Sequence, residues 1–237
     1  MKYSFIIPMH NDGKKAVETI QSILNQEIDR GDAIEVVAVD NNSTDDSVKI
    51  IREFLGGRGR VVSEIEKQGP NAARRKGMEE ATGDVLCFVD ADTTIPPDWL
   101  TGVERAIREG YVAVSGPYYY NFDQLYLRAV NWLFTWLVLP VIPYVLYGIF
   151  RKKAAVVIGG NFAVTRKALE AIGGIPDVDF YGDDARIAML LVRKVGPVAF
   201  SHRVKAFTSP RRYYRDGAKE LQAKYNKAYF DEYFDRK

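Results

Sequence analysis

Two aspartates separated by one small residue, Asp90-Ala91-Asp92, follow directly on the apolar run Val85-Leu86-Cys87-Phe88-Val89. Carboxylates paired at such a turn present hard oxygen ligands of the kind that hold Mg²⁺ or Mn²⁺ together with substrate phosphates, where the ion neutralises charge on a diphosphate leaving group. The same tripeptide also reads as a turn cap ahead of Pro96-Pro97. A second acidic pair, Asp183-Asp184, follows Tyr181-Gly182 and precedes the apolar helical run Ile187 to Val192. Capping and the helix dipole explain one of these carboxylates but not both well. A carboxylate held there, far in sequence from the first pair, could act as a general base toward an acceptor hydroxyl. A third segment, Thr208-Ser209-Pro210-Arg211-Arg212, offers two planar guanidinium forks, which suit phosphate oxygens; the competing reading is a solvated basic turn. His202, a lone histidine near a strand end, carries no assignment.

The elements that must position these groups alternate regularly. Strands are expected over Tyr3 to Pro8, Ile34 to Asp40, Arg60 to Ile65, Val85 to Asp90 and Tyr111 to Ser115. Helices are expected over Lys14 to Gln26, Asp45 to Leu55, Asn71 to Ala81 and Pro97 to Glu109. Strands as apolar as Ile34 to Val39 and Val85 to Val89 imply burial on both faces, as in a mostly parallel open sheet covered by helices. Ligands of such sheets bind beyond the carboxyl ends of the strands. Polar residues gather at three of those ends: His10-Asn11-Asp12, Asp40-Asn41-Asn42 and Asp90-Ala91-Asp92.

Several classes are excluded. The turn after the first strand, Pro8-Met9-His10-Asn11-Asp12-Gly13, lacks the glycine spacing of a dinucleotide site, and no Gly-Lys-Ser/Thr phosphate loop occurs. With 33 Lys+Arg against 31 Asp+Glu, the net charge of +2 gives no global field for nucleic acid, so none is expected as a partner. The single cysteine, Cys87, rules out a disulfide framework and a cysteine-based zinc site. Its 237 residues suit one domain carrying an insertion. Too little precedes the first strand for a signal peptide, so the folded part is expected in the cytoplasm.

Ile6-Ile7-Pro8-Met9-His10-Asn11, Val39-Asp40-Asn41-Asn42-Ser43-Thr44-Asp45, Gly69-Pro70-Asn71-Ala72-Ala73-Arg74 and Asp90-Ala91-Asp92 together resemble the inverting family 2 glycosyltransferases of the GT-A fold. Gly159-Gly160-Asn161 and Gly182-Asp183-Asp184 extend the likeness over roughly residues 3 to 200. The resemblance implies a single GT-A (Rossmann-like) α/β domain, a nucleotide-diphospho-sugar donor and Mg²⁺ or Mn²⁺. It implies that Asp40 meets the base or ribose, Asp90 the ribose, and Asp92 the metal with Asp90 beside it. It also implies that Arg74 approaches the nucleotide or diphosphate, and that Pro8, Asn11, Asn42, Ala91, Arg211 and Arg212 complete the donor site. The family's base falls on Asp184, while Asp183 stands where the family has glutamate, which leaves the base between the two. Leu190 stands where relatives often carry an arginine, six residues after the base.

From Ala129 to Phe150 there are 22 residues without a charge, long enough for a bilayer. Pro140 and Pro143 break the run, and Arg128 and Arg151-Lys152-Lys153 flank it. A single crossing would put Asp92 and Asp184 in different compartments. Basic residues at both ends instead favour a re-entrant, hairpin-like or interfacial segment on the cytoplasmic side of the cell membrane, with Trp132, Trp136, Tyr144 and Tyr147 at headgroup level. The alternatives are a buried helical pair or a homo-oligomer interface. Ser201 to Lys227 carries eight Lys/Arg and two acids, and Leu221, Tyr225, Tyr229 and Tyr233 fall on one face of a helix that either supports membrane contact or docks on the domain.

The expected organisation is therefore a nucleotide-sugar-binding half (1–120), a hydrophobic insertion (121–153), an acceptor-binding and catalytic half (154–215) and a C-terminal amphipathic helix (216–237). The expected activity is metal-dependent transfer of a sugar, with inversion, to a glycan or lipid-linked acceptor at the membrane. The rivals are a polyprenyl-phosphate glycosyltransferase of the same fold and a non-catalytic nucleotide-sugar-binding membrane scaffold. A nucleotidyltransferase would want a glycine-rich basic loop after the first strand, which is absent.

Overall fold

The structure, a computed structural model, describes residues 1–151, 153–177 and 182–234. Lys152, Tyr181 and the side chain of Leu221, all used in the sequence reading, lie outside the described part. The first half is the expected alternation: β1 (Lys2–Met9), α1 (Gly13–Leu24), β2 (Ala33–Asp40), α2 (Ser47–Leu55), β3 (Arg60–Ser63), α3 (Pro70–Glu80) and β4 (Val85–Val89). A short β5 (Thr93–Thr94), α4 (Trp99–Arg108), β6 (Ala113–Ser115) and β7 (Tyr118–Tyr120) lead into the insertion. There α5 (Leu125–Leu133) runs on through a π-helical turn, Phe134–Val138, to α6 (Ile142–Phe150). The second half holds β8 (Asn161–Thr165), α7 (Arg166–Ala171), α8 (Asp183–Lys194), β9 (Val198–Phe200), β10 (Ala206–Thr208), α9 (Arg211–Asp216) and α10 (Ala218–Phe234).

The seven-stranded sheet has the order β3-β2-β1-β4-β8-β6-β9, and a second sheet has the order β5-β10-β7. Along β1 the side chains alternate between two cores, Phe5 and Ile7 packing with Ile20, Ile51 and Trp99 on one face, and Ile6 with Phe88, Phe162 and Leu191 on the other. This two-faced burial is why the strands are apolar without alternation.

The sheet is mixed. β8 runs antiparallel to both β4 and β6, with Asn161 opposite Val89 and Phe162 opposite Ser115. The chain leaves β6 at the carboxyl edge of the sheet, makes the insertion, and re-enters at that same edge, so the returning strand has to run backwards. A parallel return would need a crossover of a dozen or more residues to the far edge. This reversal sets the insertion on the edge where α/β sheets bind ligands.

The tyrosine stripe of α10 docks on protein, against α6 of the insertion and the segment that follows it. Tyr233 is fully buried and its hydroxyl donates to the Leu146 carbonyl (3.1 Å), while the Tyr229 hydroxyl donates to the Ala155 carbonyl (3.1 Å). No single helix among the described residues is long and apolar enough to cross a membrane; the two halves of the insertion reach that length and composition only together, bent by 41°.

Candidate active site

A cleft of about 950 Å³ opens beyond the carboxyl ends of β1 and β4. Of the residues expected to act there, Pro8, Arg74, Asp90, Ala91, Asp92, Asp183, Asp184, Arg211 and Arg212 line it. Asn11, Asp40 and Asn42 do not. Asp40 is buried and accepts a hydrogen bond from the Ser43 N–H (3.3 Å). Asn11 and Asn42 take left-handed backbone conformations (φ 55° and 61°), which asparagine tolerates better than most residues. The Asn11 side chain ties the first two strand-end loops together by accepting from the Thr44 N–H (2.8 Å). His10 and Asn41 line the cleft in their place, with Asn41 accepting from the Gly69 N–H at the start of α3 (2.6 Å).

Arg74 organises the floor. Its side chain is buried, Nη2 donates to Asp90 (2.8 Å), and Nη1 donates to Asp183 (3.1 Å) and Asn71 (3.1 Å). One guanidinium thus joins the end of β4 to the start of α8, elements 93 residues apart between Asp90 and Asp183. Burial acts against its charge, but Asp90 and Asp183 more than offset this and hold it protonated. Rather than pointing both nitrogens at a donor, Arg74 uses them to position carboxylates; its Nε has no partner among the described residues. Asp90 also accepts from the Tyr118 hydroxyl (3.2 Å). Gly160 makes room for this arrangement, because a Cβ there would stand 2.1 Å from the Asp90 carboxyl and 2.2 Å from the Tyr118 hydroxyl.

The two neighbours at the start of α8 differ in partnership. Asp183 faces Arg74, whereas among the described residues Asp184 has no cation in hydrogen-bond reach and accepts from the backbone N–H groups of Ala185 (2.8 Å) and Gly159. Burial, reinforced by the charge of Asp183, raises the Asp184 pKa to about 7. Burial also raises Asp183, with Arg74 opposing. At neutral pH Asp184 is therefore poised to take a proton.

At the other end of the cleft, burial and the nearby carboxylates of Asp90 and Asp12 raise the Asp92 pKa against the pull of Arg211. Arg211 reaches back across the cleft mouth in a bidentate pair with Asp12 (2.7 and 2.9 Å) and lies 3.7 Å from Asp92. The Arg212 guanidinium donates to the Tyr225 hydroxyl of α10 (3.4 Å). Sequence reasoning missed Asp12, Tyr118 and Tyr225 as parts of the site. Asp12 had a signal in its strand-end position, and Gly160 in its doublet; nothing in the sequence singled out Tyr118. The Asn161 of that motif is structural: it accepts from the Trp99 indole N–H (2.9 Å) and donates to the Gly116 and Val204 carbonyls (3.0 and 2.8 Å). His202 lies under the insertion, its ring stacked on Trp136 with centroids 3.9 Å apart. Among the described residues, no three His, Cys, Asp or Glu side chains converge as a self-contained metal site.

A mixed α/β sheet with carboxylates converging at its carboxyl edge is the GT-A architecture. Residues 4–173 match the family model described as glycosyl transferase family 2, and the chain belongs to that family. Among curated relatives it is 31% identical over 123 residues to the glycosyltransferase GlyG of Streptococcus pneumoniae, an alignment covering 51% of this chain and 40% of that protein. It is 29% identical over 118 residues to a GalNAc(5)-diNAcBac-PP-undecaprenol β-1,3-glucosyltransferase of Campylobacter jejuni, covering 48% of this chain and 37% of that one. The matched part thus spans about two fifths of these relatives. Among solved structures, the mannosyltransferase PcManGT of Pyrobaculum calidifontis, in complex with GDP-Man and Mn²⁺, superposes with a TM-score of 0.69 at 23% identity, covering 97% of this chain and 64% of that one. S. aureus TarS 1–349 in complex with UDP-GlcNAc gives 0.65 at 19% identity, covering 88% and 58%. At these identities the likeness concerns the fold.

Proposed function

We propose that the protein is a metal-dependent, inverting glycosyltransferase that moves a sugar from a nucleotide-diphospho-sugar to an acceptor at the cytoplasmic face of a membrane. The observation that carries this is the pairing, in one cleft, of Asp90 and Asp92 at a strand end with a cation-free Asp184 raised to about 7. Asp184 is the base and Asp183 its positioning neighbour, since Asp183 is already held by Arg74. The acceptor O–H gives its proton to Asp184, and its oxygen attacks the anomeric carbon from the face opposite the diphosphate. The C–O bond to the diphosphate breaks with its electron pair on the leaving group, through a transition state of oxocarbenium character, and the configuration inverts.

The donor set fits a divalent cation. Asp92 is a mostly buried carboxylate whose charge is disfavoured by burial and by neighbouring carboxylates; among the described residues it is approached by the Thr208 hydroxyl (3.5 Å) and Arg211 (3.7 Å), with Lys15 adding a weaker pull. Asp92, with Asp90 beside it, would hold Mg²⁺ or Mn²⁺ by one or two carboxylates together with substrate phosphates, which is how Mg²⁺ is usually bound. When bound, that ion neutralises charge on the diphosphate leaving group. Arg211 and Arg212 supply cationic forks to the same phosphates, in the role left open by Leu190. Asp90, Pro8 and Ala91 form the wall against the donor, and Asp40, Asn11 and Asn42 support that wall from behind.

Membrane attachment belongs to the insertion, where Leu125, Tyr126, Trp132, Tyr144 and Ile149 are each at least half exposed. Apolar side chains on that scale bury into an interface, and Trp and Tyr prefer the headgroup level. The test is a thermal-shift screen of nucleotide sugars with and without Mn²⁺, followed by donor hydrolysis. A sugar nucleotide should raise the melting temperature only with metal and be slowly hydrolysed. Binding without any hydrolysis or transfer would favour the scaffold reading instead.

A further inference from the structure

The mouth of the cleft is bridged by an ion pair between residues 199 apart in sequence. Both terminal nitrogens of Arg211, at the start of α9, donate to Asp12, in the turn between β1 and α1 (2.7 and 2.9 Å). Nη2 also lies 3.7 Å from Asp92. One guanidinium thus stands between two carboxylates of the cleft wall. A pair of this kind contributes little to stability when one partner is open to water, and the Arg211 side chain is 52% exposed against 14% for Asp12. Its placement matters more than its strength. Asp12 has a second cation, Lys15, 4.0 Å from the same oxygen that takes Arg211 Nη1, so Arg211 can turn away without stranding a buried charge. Asp92 would then keep only the weaker pull of Lys15, while Asp90 and Asp12 continue to oppose its charge.

These contacts set two obstacles in the same place. A divalent ion at Asp92 meets the like charge of Arg211, and a diphosphate without an ion meets the carboxylates of Asp12, Asp90 and Asp92. Arriving together, the two remove both, because Asp92 then has the ion to face and the Arg211 fork has phosphate oxygens. We propose that Asp12 is a positioning residue, the resting partner of Arg211, and that Arg211 passes from Asp12 and Asp92 to the donor's diphosphate as Asp92 takes a divalent ion. The proposal rests on the transferase reading, which identifies the ligand. Arg211 is then what couples the two halves of that ligand, and each half should tighten the other's binding by the same factor. The pivot is fixed: Thr208, three residues earlier, pairs with Thr93 of β5, and the Thr93 hydroxyl donates to the Thr208 hydroxyl (3.0 Å). The exchange is therefore a turn of the Arg211 side chain, with the sheet unmoved.

The test uses the full chain, with calorimetric titration of Mn²⁺ alone and of nucleoside diphosphates of each common base at saturating Mn²⁺; Asp92→Ala marks the Mn²⁺ site by losing it. Arg211→Gln should bind Mn²⁺ alone about tenfold tighter, since a like charge beside the site is gone, and should bind the best nucleoside diphosphate with Mn²⁺ about tenfold weaker, since a phosphate fork is gone. A residue that served the phosphates alone would give only the second effect. Arg211→Lys keeps the charge and should hold Mn²⁺ affinity within about twofold of wild type. The cycle of Asp12→Asn and Arg211→Gln, followed by melting temperature, reads the pair itself. It should be non-additive by about 1 to 3 °C in the protein alone and additive with nucleotide and Mn²⁺ at saturation, when Arg211 no longer faces Asp12. Unchanged or weaker Mn²⁺ binding in Arg211→Gln, or the same non-additivity with and without nucleotide, would overturn the exchange and leave the donor site standing. If no nucleoside diphosphate binds the wild type with Mn²⁺, the transferase reading falls and the exchange falls with it.

Discussion

Replacing Asp184 by Asn should make the protein less active and more stable at once, and the two effects should separate with pH. The structure sets the size. The Asp184 pKa stands at about 7 against 3.8 for an ordinary aspartate, so its charged form is disfavoured in the fold by roughly 3 pKa units, or about 4 kcal/mol at most. Between these two values the folded state binds a proton that the unfolded state has released, so stability falls as pH rises. The penalty is absent below about pH 3.8, is about 1.5 kcal/mol at pH 5, and is complete above about pH 7. Asparagine has the same shape, keeps an oxygen to accept from the Ala185 N–H and never ionises. Urea unfolding of Asp184→Asn against wild type should therefore give a stability gain that grows by about 2 to 3 kcal/mol from pH 5 to pH 8. Transfer should fall by roughly two orders of magnitude or more, the scale of a lost general base, with donor affinity retained. Wild-type kcat should rise about tenfold per pH unit below pH 7 and level off above it. A variant that loses stability at pH 8, or whose stability gap ignores pH, would refute the assignment of a desolvated, cation-free carboxylate.

Other outcomes follow from the same geometry. Asp92→Ala should weaken nucleotide-sugar binding and abolish its response to Mn²⁺ in calorimetry; an intact metal response would remove Asp92 from the donor site. Arg74→Met leaves the buried Asp183 and the partly exposed Asp90 without their cation and should cost roughly 3 kcal/mol in urea unfolding, whereas a residue serving only the diphosphate would leave stability unchanged. Gly160→Ala drives a methyl into the Asp90 carboxyl, so donor affinity should drop about tenfold or more, equivalent to 1.4 kcal/mol, in a protein that still folds. Serines at Leu125, Tyr126, Tyr144 and Ile149 should release the protein into the soluble fraction, and cysteines beside Arg128 and Lys153 should both react with an impermeant thiol reagent from the same side; labelling from opposite sides would contradict the shared compartment.

The local part of the architecture was legible in the residues. Runs such as Ile34 to Val39 declare strands buried on both faces, and the amphipathic stretches between them declare the covering helices, because side-chain periodicity depends only on neighbours in sequence. Element ends fell within about two residues of expectation in the first half. The strand-end acids were legible for the same reason, since the carboxyl end of a buried strand is where a polar residue has to stop being buried. What tertiary structure alone decided is which groups share an electrostatic neighbourhood. Asp183 and Asp184 are equivalent as letters; Arg74, more than a hundred residues earlier, takes one and leaves the other to be raised by burial. The direction of β8 was equally hidden, because strand polarity depends on the edge at which the insertion returns. The tyrosines of α10 could face lipid or protein by spacing alone. The buried Tyr233 hydroxyl found the Leu146 carbonyl of the insertion and the half-buried Tyr229 hydroxyl the Ala155 carbonyl just after it, so these two tyrosines face protein, because a buried polar group needs a partner that only the folded chain can bring to it.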